Sequence, residues 1–314
     1  MVNNAKGCEA AIVLAVYNRP DCTAKSVAQV AATHPSHLFV VADGPKEDVT
    51  EDGQKCAAVL DEVKRISWPG EVHWNIAPTN LGCRKRIQTG LAWVFEHVDS
   101  AIIVEDDCVL DPSFFVFTSE LLDYYRHDPR IGVISAQSIG TSSAGVSYHL
   151  SKFPLIWGWA TWRRTWQIYE PDMDSWPSVR ETDWLECYLG DPFLAAYWRA
   201  VFDQTKAGAD TWDYQLTYSF WRHRMLAIHP SVNLVRNIGF GADATHCFTG
   251  APSFALQKMP FPLAHPESLD PDTERDALVA ANCGITQKEA FRRARASMTK
   301  LRNVRRDRSG HTIL

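Results

Sequence analysis

The chain has 314 residues, 46% hydrophobic and 22% charged, a composition that supports a sizeable core and excludes a disordered or fibrous protein. Its net charge of −5 gives no reason to expect nucleic acid as a partner. MVNNAKGCEA lacks the basic stretch and apolar run of a signal peptide, no apolar run nears the roughly 18 residues that span a bilayer, and eight cysteines without a CxxC pair read as free thiols of a cytoplasmic protein.

Residues 11–17 (AIVLAVY) form a continuous apolar run, as expected of a buried strand. Asn18-Arg19-Pro20-Asp21 stops it, and Asp21 is placed to cap a helix through Thr33 with Val27 and Val30 inward. A second strand at 38–42 (LFVVA) ends at Asp43-Gly44-Pro45. Residues 51–66 have helical spacing at Ala57, Leu60 and Val63, and 72–76 read as a third strand. Helix Gly82–His97 follows, with Ile87, Leu91, Val94 and Phe95 inward. A fourth strand at 101–104, a helix at 112–126 and a fifth strand at Ile131–Ser135 complete the first half. This alternation predicts an α/β layer with a largely parallel sheet.

Ligands of such sheets bind beyond the carboxyl ends of the strands. Three of those ends carry polar residues: Asn18-Arg19, Asp43-Gly44 and Glu105-Asp106-Asp107. Three adjacent carboxylates after a buried strand repel one another and need a positive partner. A Mg²⁺ or Mn²⁺ ion, held by one or two carboxylates and shared with a substrate diphosphate, answers that need. The plainer alternative is that Asp106, Asp107 and Asp111 cap the helix near Pro112. No GxGxxG or GxxxxGK[ST] occurs, so neither a dinucleotide fingerprint nor a P-loop is expected. Arg84, Lys85 and Arg86 open a helix whose N-terminus favours anions; as a set they also suit a solvated basic face.

Nine of the twelve tryptophans fall between Trp157 and Trp221. Trp159, Trp162 and Trp166 have the i, i+3, i+7 spacing of one buried helix face. Trp157 and Gly158, just before it, are candidates to meet a carbohydrate acceptor, since sugars stack their C–H faces on aromatic rings. Asp213 follows Trp212 and is either a general base or the cap of a helix at 214–222. Gly239 and Gly241 frame a loop with Asp243, Thr245 and His246, suited to a lid over a donor, and His246 is either a donor contact or a solvated histidine. PESLDPDTERD (266–276) reads as a linker or short cap. Residues 287–308 carry nine Lys/Arg against Glu289 and Asp307, with Phe291, Ala294, Met298, Leu301 and Val304 on one helical face. Such a helix either packs on the domain or lies on an anionic membrane surface, which would put the protein at the inner face of the membrane.

In this order, IVLAVYNRP, VVADGPKED, IIVEDDCVLDPSFF, IGVISAQS and FPLIWGWATWRRTW resemble the metal-dependent inverting GT-A glycosyltransferases. The likeness is to the N-acetylglucosaminyltransferase I type and to bacterial family 2-like sugar transferases, and it spans 11–248. The resemblance implies a single domain with a GT-A-like, mixed and mainly parallel sheet. Residues 1–140 would be its nucleotide-sugar half, 141–265 its acceptor half, and 266–314 an acidic linker with a basic helix. It implies that Asn18, Arg19, Asp43, Arg84 and Asp106 meet the nucleotide, and that Asp107 holds Mn²⁺ or Mg²⁺. Glu105, Gly239, Gly241 and His246 would serve the donor sugar or the lid. Trp157, Gly158 and Trp212 would meet the acceptor, and Asp213 would be the catalytic base. The family has two acids after the tryptophan where this chain has Asp213-Tyr214. The implied partners are a nucleotide-sugar donor, UDP-linked, and a glycan or lipid-linked glycan acceptor. The rival readings are a sugar nucleotidyltransferase, which should carry a Gly-rich triphosphate loop after the first strand, and a non-catalytic carbohydrate-binding protein, which would leave the three acids without purpose.

Overall fold

Residues 11–16 form a central strand buried at every position. The structure, a computed structural model, describes residues 10–140, 145–239 and 255–282. Its elements begin β1 (Ala11–Val16), α1 (Pro20–Ala31), β2 (His37–Ala42), α2 (Asp52–Lys64), β3 (Glu71–Ile76), α3 (Gly82–His97) and β4 (Ser100–Glu105). Then come β5 (Cys108–Leu110), α4 (Ser113–Tyr124), β6 (Ile131–Ser135), β7 (Tyr148–Ser151), β8 (Trp159–Trp162), α5 (Arg163–Gln167), α6 (Trp176–Val179) and α7 (Trp184–Leu189). The chain continues with α8 (Pro192–Lys206), α9 (Asp213–Arg222), β9 (Leu226–Pro230), β10 (Val235–Asn237) and α10 (Thr273–Asn282).

Eight strands make one sheet in the order β3-β2-β1-β4-β8-β6-β9-β7. The pairs from β3 to β4 and the pair β6–β9 are parallel, while β8 and β7 run against their neighbours. This is the single, mainly parallel α/β domain expected from the sequence. Alternation along β1 divides the core between two faces. Ile12, Leu14 and Val16 pack with Val27 and Val30 of α1, Val59 and Val63 of α2, and Phe114 and Phe117 of α4. Ala11, Val13 and Ala15 pack with Ile87, Leu91 and Val94 of α3 and with most of the buried tryptophans.

The tryptophan run departs from expectation. Residues 159–162 are not a helix but strand β8, inserted antiparallel between β4 and β6. Trp159 joins one core face and Trp162 the other, as a period of two demands and a helix face forbids. Only Trp166 lies on a helix, the short α5. All three are buried, so the core assignment survives the change of element. β4 and β6 each need a partner for their inner edge, and Trp and Thr suit a pleated surface. Helix α1 also begins differently: Pro20 is its first residue, Arg19 takes the cap position, and Asp21 makes no cap bond but lies in the first turn.

The stretch 266–276 does not hang free. It enters α10, where buried Asp276 accepts from Ser151 Oγ at 2.6 Å and from the Lys152 amide. No helix among the described residues is long and apolar enough to cross a membrane. Cys22, Cys56, Cys83, Cys108 and Cys187 are free thiols, in line with the sequence reading. Gly241, His246 and the basic stretch 287–308 lie outside the described residues.

Candidate active site

Between β1 and β4 the order of the sheet reverses, so the turns leaving their carboxyl ends diverge and open a crevice. Arg19 follows β1, Glu105 ends β4, and Asp106 and Asp107 follow it. The register pairs Ala15 with Glu105, and the Asp106 amide donates to the Ala15 carbonyl at 3.1 Å. The acids therefore lie beside the turn that carries Arg19. Arg19 Nη2 donates to Asp106 Oδ1 at 2.6 Å, and Nη1 lies 3.0 Å from Asp107 Oδ2. Ser26 Oγ on α1 donates to the Asp106 carbonyl at 2.7 Å and fixes the turn from below.

The positive charge is insufficient. One guanidinium faces three carboxylates, and the site is desolvated. Burial pushes the Glu105 carboxyl well above its ordinary range; the charges of Asp107 and Asp106 add to this and Arg19 opposes it. Burial raises Asp106 to about 6 against the pull of Arg19. Burial also disfavours the Arg19 charge, but Asp106 and Asp107 outweigh it and hold the guanidinium protonated. Two enclosed carboxylate oxygens, Glu105 Oε1 and Asp106 Oδ2, have no hydrogen-bond partner among the described residues. Asp111, by contrast, does serve the following helix. Its Oδ1 accepts from the Ser113 amide at 2.9 Å and from Ser113 Oγ at 2.5 Å. The capping alternative thus accounts for Asp111 and leaves Asp106 and Asp107 facing Arg19.

A remote segment completes the cluster. β10 pairs antiparallel with β5, Asn237 opposite Cys108, and the Ile238 amide donates to the Asp107 carbonyl at 2.8 Å. Asn237 Oδ1 accepts from the Gly239 amide at 2.7 Å. Gly239 is thereby pressed onto the acids: a Cβ there would stand 2.2 Å from Asp107 Oδ2 and 2.7 Å from Arg19 Nη1. A glycine is needed here for close approach to Asp107.

The other strand ends are tied more tightly than the sequence suggests. Asn18 Nδ2 donates to Asp52 Oδ1 and Tyr17 Oη to Asp52 Oδ2, both at 2.5 Å, and the Lys46 amide also reaches Oδ2 at 2.7 Å. Asp52 is a buried carboxylate that no sequence pattern singled out. Asp43 is buried too: Oδ1 accepts from the Gly44 and Leu81 amides, each at 2.9 Å, and Oδ2 from Asn80 Nδ2 at 3.0 Å. Burial raises its carboxyl, and those amide bonds and Arg86 oppose the rise. Arg84 turns away from the acids; its Nη2 donates to Asp172 Oδ1 at 2.8 Å and to the Pro171 carbonyl. The α3 N-terminus already holds an anion, since Asp210 Oδ1 accepts from the Arg84 amide at 3.0 Å. Arg86, expected on a basic face, is buried and donates to Asn75.

On the acceptor side, Trp157 is half-buried and its amide donates to Gln137 Oε1 at 3.1 Å. Gly158 takes a left-handed φ of 63°, and a Cβ would meet Leu110 Cδ2 at 2.5 Å, so turn geometry and core packing require the glycine. Trp212 is buried and stacked on Trp159, with centroids 5.5 Å apart. Trp212 occupies the cap position of α9, making Asp213 its first residue rather than its cap. Thr211 Oγ1 donates to Asp213 Oδ1, and the Asp213 charge reaches Glu105 and adds to its raised pKa. The fold therefore brings Arg19, Asp106, Asp107 and Gly239 into direct contact, with Glu105 and Asp213 in electrostatic range. Asn18, Asp43 and Arg84 lie on the surrounding turns, held by their own partners. A broad groove between α1 and α4 is lined by none of these residues.

No family model and no curated protein matches this sequence. Among solved structures, one match is UDP-glucose pyrophosphorylase complexed with UDP-glucose, at 9% identity and TM-score 0.36 over 71% of this chain and 90% of that one. Another is mouse xyloside xylosyltransferase 1 in its apo form, at 8% identity and TM-score 0.27 over 67% of this chain and 81% of that one. At such scores the likeness carries nothing over to this chain, whose function must be read from the site itself.

Proposed function

We propose that the chain is an inverting glycosyltransferase that moves a sugar, N-acetylglucosamine on the strength of the sequence resemblance, from a UDP-sugar to a glycan or lipid-linked glycan. One observation carries this reading: among the described residues, three carboxylates with a single guanidinium and two unpartnered buried oxygens stand at the point where an α/β sheet binds ligands. Their hard oxygen donors fit Mn²⁺ or Mg²⁺, with Asp107 as ligand and Glu105 and Asp106 in support. A bound ion of this kind offsets the charge on a departing nucleoside diphosphate.

The chain's own residues do the rest. Arg19 orients the acids and presents positive charge toward the diphosphate. The turns at Asn18 and Asp43 hold the nucleoside. Asp213 takes the proton of the acceptor hydroxyl as its oxygen attacks the anomeric carbon. The bond to the UDP oxygen breaks on the opposite side, so the configuration inverts. Gly239, with Gly241 and His246, serves the donor sugar. Sugar nucleotidyl transfer is disfavoured because α1 begins at Pro20, leaving no room for a triphosphate loop after β1.

A thermal-shift screen of nucleotide sugars with and without Mn²⁺ tests the proposal. A rise selective for one UDP-sugar with Mn²⁺ is expected. No metal-dependent rise with any sugar nucleotide would sink it. Two further outcomes are expected. Because the ion must displace the proton held by Asp106, whose carboxyl burial raises to about 6, Mn²⁺ affinity should climb between about pH 5 and 7, by up to tenfold per unit for the proton released. Calorimetry in buffers of different ionisation enthalpy counts that proton; a flat profile contradicts the assignment. Gly239→Ala should weaken Mn²⁺ binding by about tenfold, because the methyl must displace the Asp107 carboxylate. Urea denaturation should find its stability little changed.

A further inference from the structure

We propose that His37, Glu71 and His73 form a second divalent-metal site, of the zinc class, at the opposite end of the sheet from the acids. His37 and Glu71 are the first residues of β2 and β3 and face one another in register, and Phe39 faces His73. With a side-chain period of two, all three ligands therefore project from the same face of two adjacent strands. Their ligand atoms form a nearly regular triangle: His73 Nε2 to His37 Nδ1 3.5 Å, His73 Nε2 to Glu71 Oε2 3.5 Å, and His37 Nδ1 to Glu71 Oε2 3.7 Å.

Each separation exceeds the usual hydrogen-bond range of about 2.7–3.2 Å, so direct pairing does not explain why three polar atoms converge. A shared ion does. The three sides place an ion in their plane roughly 2.1 Å from every ligand atom, the length of Zn–N and Zn–O bonds. A slight contraction lifts the ion out of the plane toward a tetrahedron whose fourth corner opens to solvent. Two imidazoles and one carboxylate suit zinc, and the imidazoles disfavour Mg²⁺ or Ca²⁺.

The rings are held ready. His73 stacks on buried Phe39 with centroids 4.5 Å apart and planes within 16°. Trp93 of α3 packs edge-on against the same Phe39 ring at 5.4 Å. His37 stacks on His73 at 5.7 Å. His37 and His73 are partly exposed and Glu71 is exposed, which leaves the ion an entry path. Among the described residues β3 is the edge of the sheet and pairs only with β2, so an ion joining their first residues would brace that edge.

The test is a titration of the metal-free full-length chain with Co²⁺, whose visible absorption is strong when four-coordinate and weak in an octahedral oxygen site. One equivalent with strong visible bands is expected, in the wild type and in Asp107→Ala alike. The bands should vanish in His37→Ala/His73→Ala, and Glu71→Gln should weaken binding by at least tenfold. Zn²⁺ should raise the thermal midpoint by several degrees in the first two proteins and not in the double variant. Weak octahedral bands alone, bands that survive the histidine substitutions, or sulfur charge-transfer absorption showing capture by cysteine would each overturn the assignment.

Discussion

Asp107→Ala is expected to lower Mn²⁺-dependent sugar transfer by about 10³-fold or more while the protein stays folded. The side chain of Asp107 supports no secondary-structure element. Its contacts are Arg19 Nη1 and the Cys108 thiol, and the bond from the Ile238 amide to its backbone carbonyl survives the substitution. The lost carboxylate removes the proposed metal ligand and one of the three acids that face the single Arg19 guanidinium. Asp213→Asn supplies the contrast. It should keep Mn²⁺ and donor binding and lose transfer, because the proton of the acceptor hydroxyl then has no base to receive it. Initial rates with and without EDTA, together with donor affinity for each variant, separate the two roles. Full activity of the wild type in EDTA would refute the metal assignment outright.

Arg19→Ala is expected to destabilise the protein by about 3 kcal/mol at neutral pH, since it strands buried acids without their counter-charge. The cost should depend on pH, and its sign follows from Asp106. The carboxyl has a folded pKa of about 6, above its ordinary value of 3.8, so between these values the folded chain binds more protons than the unfolded one. Stability attributable to this group therefore falls as pH rises from about 4 to 6. Arg19 lowers the Asp106 pKa, so its removal raises that pKa and extends the falling window upward. The difference between wild type and variant should be small near pH 5 and large near pH 7.5. Urea denaturation at the two pH values checks this. An equal difference at both would mean that Arg19 acts through packing rather than charge. Mn²⁺ should recover part of the lost stability, because the ion replaces the missing positive charge.

The strands of the first half were legible because their signals are local. Residues 11–16 and 101–104 are continuous apolar runs, and a strand buried on both faces needs nothing else. The ends of those runs were legible for the same reason, and with them Arg19, Asp43 and Glu105 to Asp107. The tryptophan run was misread because i, i+3, i+7 spacing is shared by a helix face and by a strand that passes into a helix. Only the unfilled edges of β4 and β6 select the strand at 159–162. Asp52 and Asp210 were missed because a lone acid among others carries no signal until its donors, Tyr17 and Asn18 in one case and the α3 N-terminus in the other, arrive from far along the chain.

By itself, then, the sequence determined the α/β layering, the polar strand ends and the presence of an electrostatic demand at Glu105, Asp106 and Asp107. Hydrophobic period and composition act over a few residues and need no knowledge of the partner segments. Tertiary structure alone decided how that demand is partly met. It set Arg19 against two of the acids, pressed Gly239 onto Asp107, and left Glu105 Oε1 and Asp106 Oδ2 without partners among the described residues. It likewise brought His37 to the Glu71–His73 pair from a neighbouring strand. Desolvation and Coulomb interactions depend on distance in space, and chain separation of 87 residues between Arg19 and Asp106 says nothing of a contact at 2.6 Å.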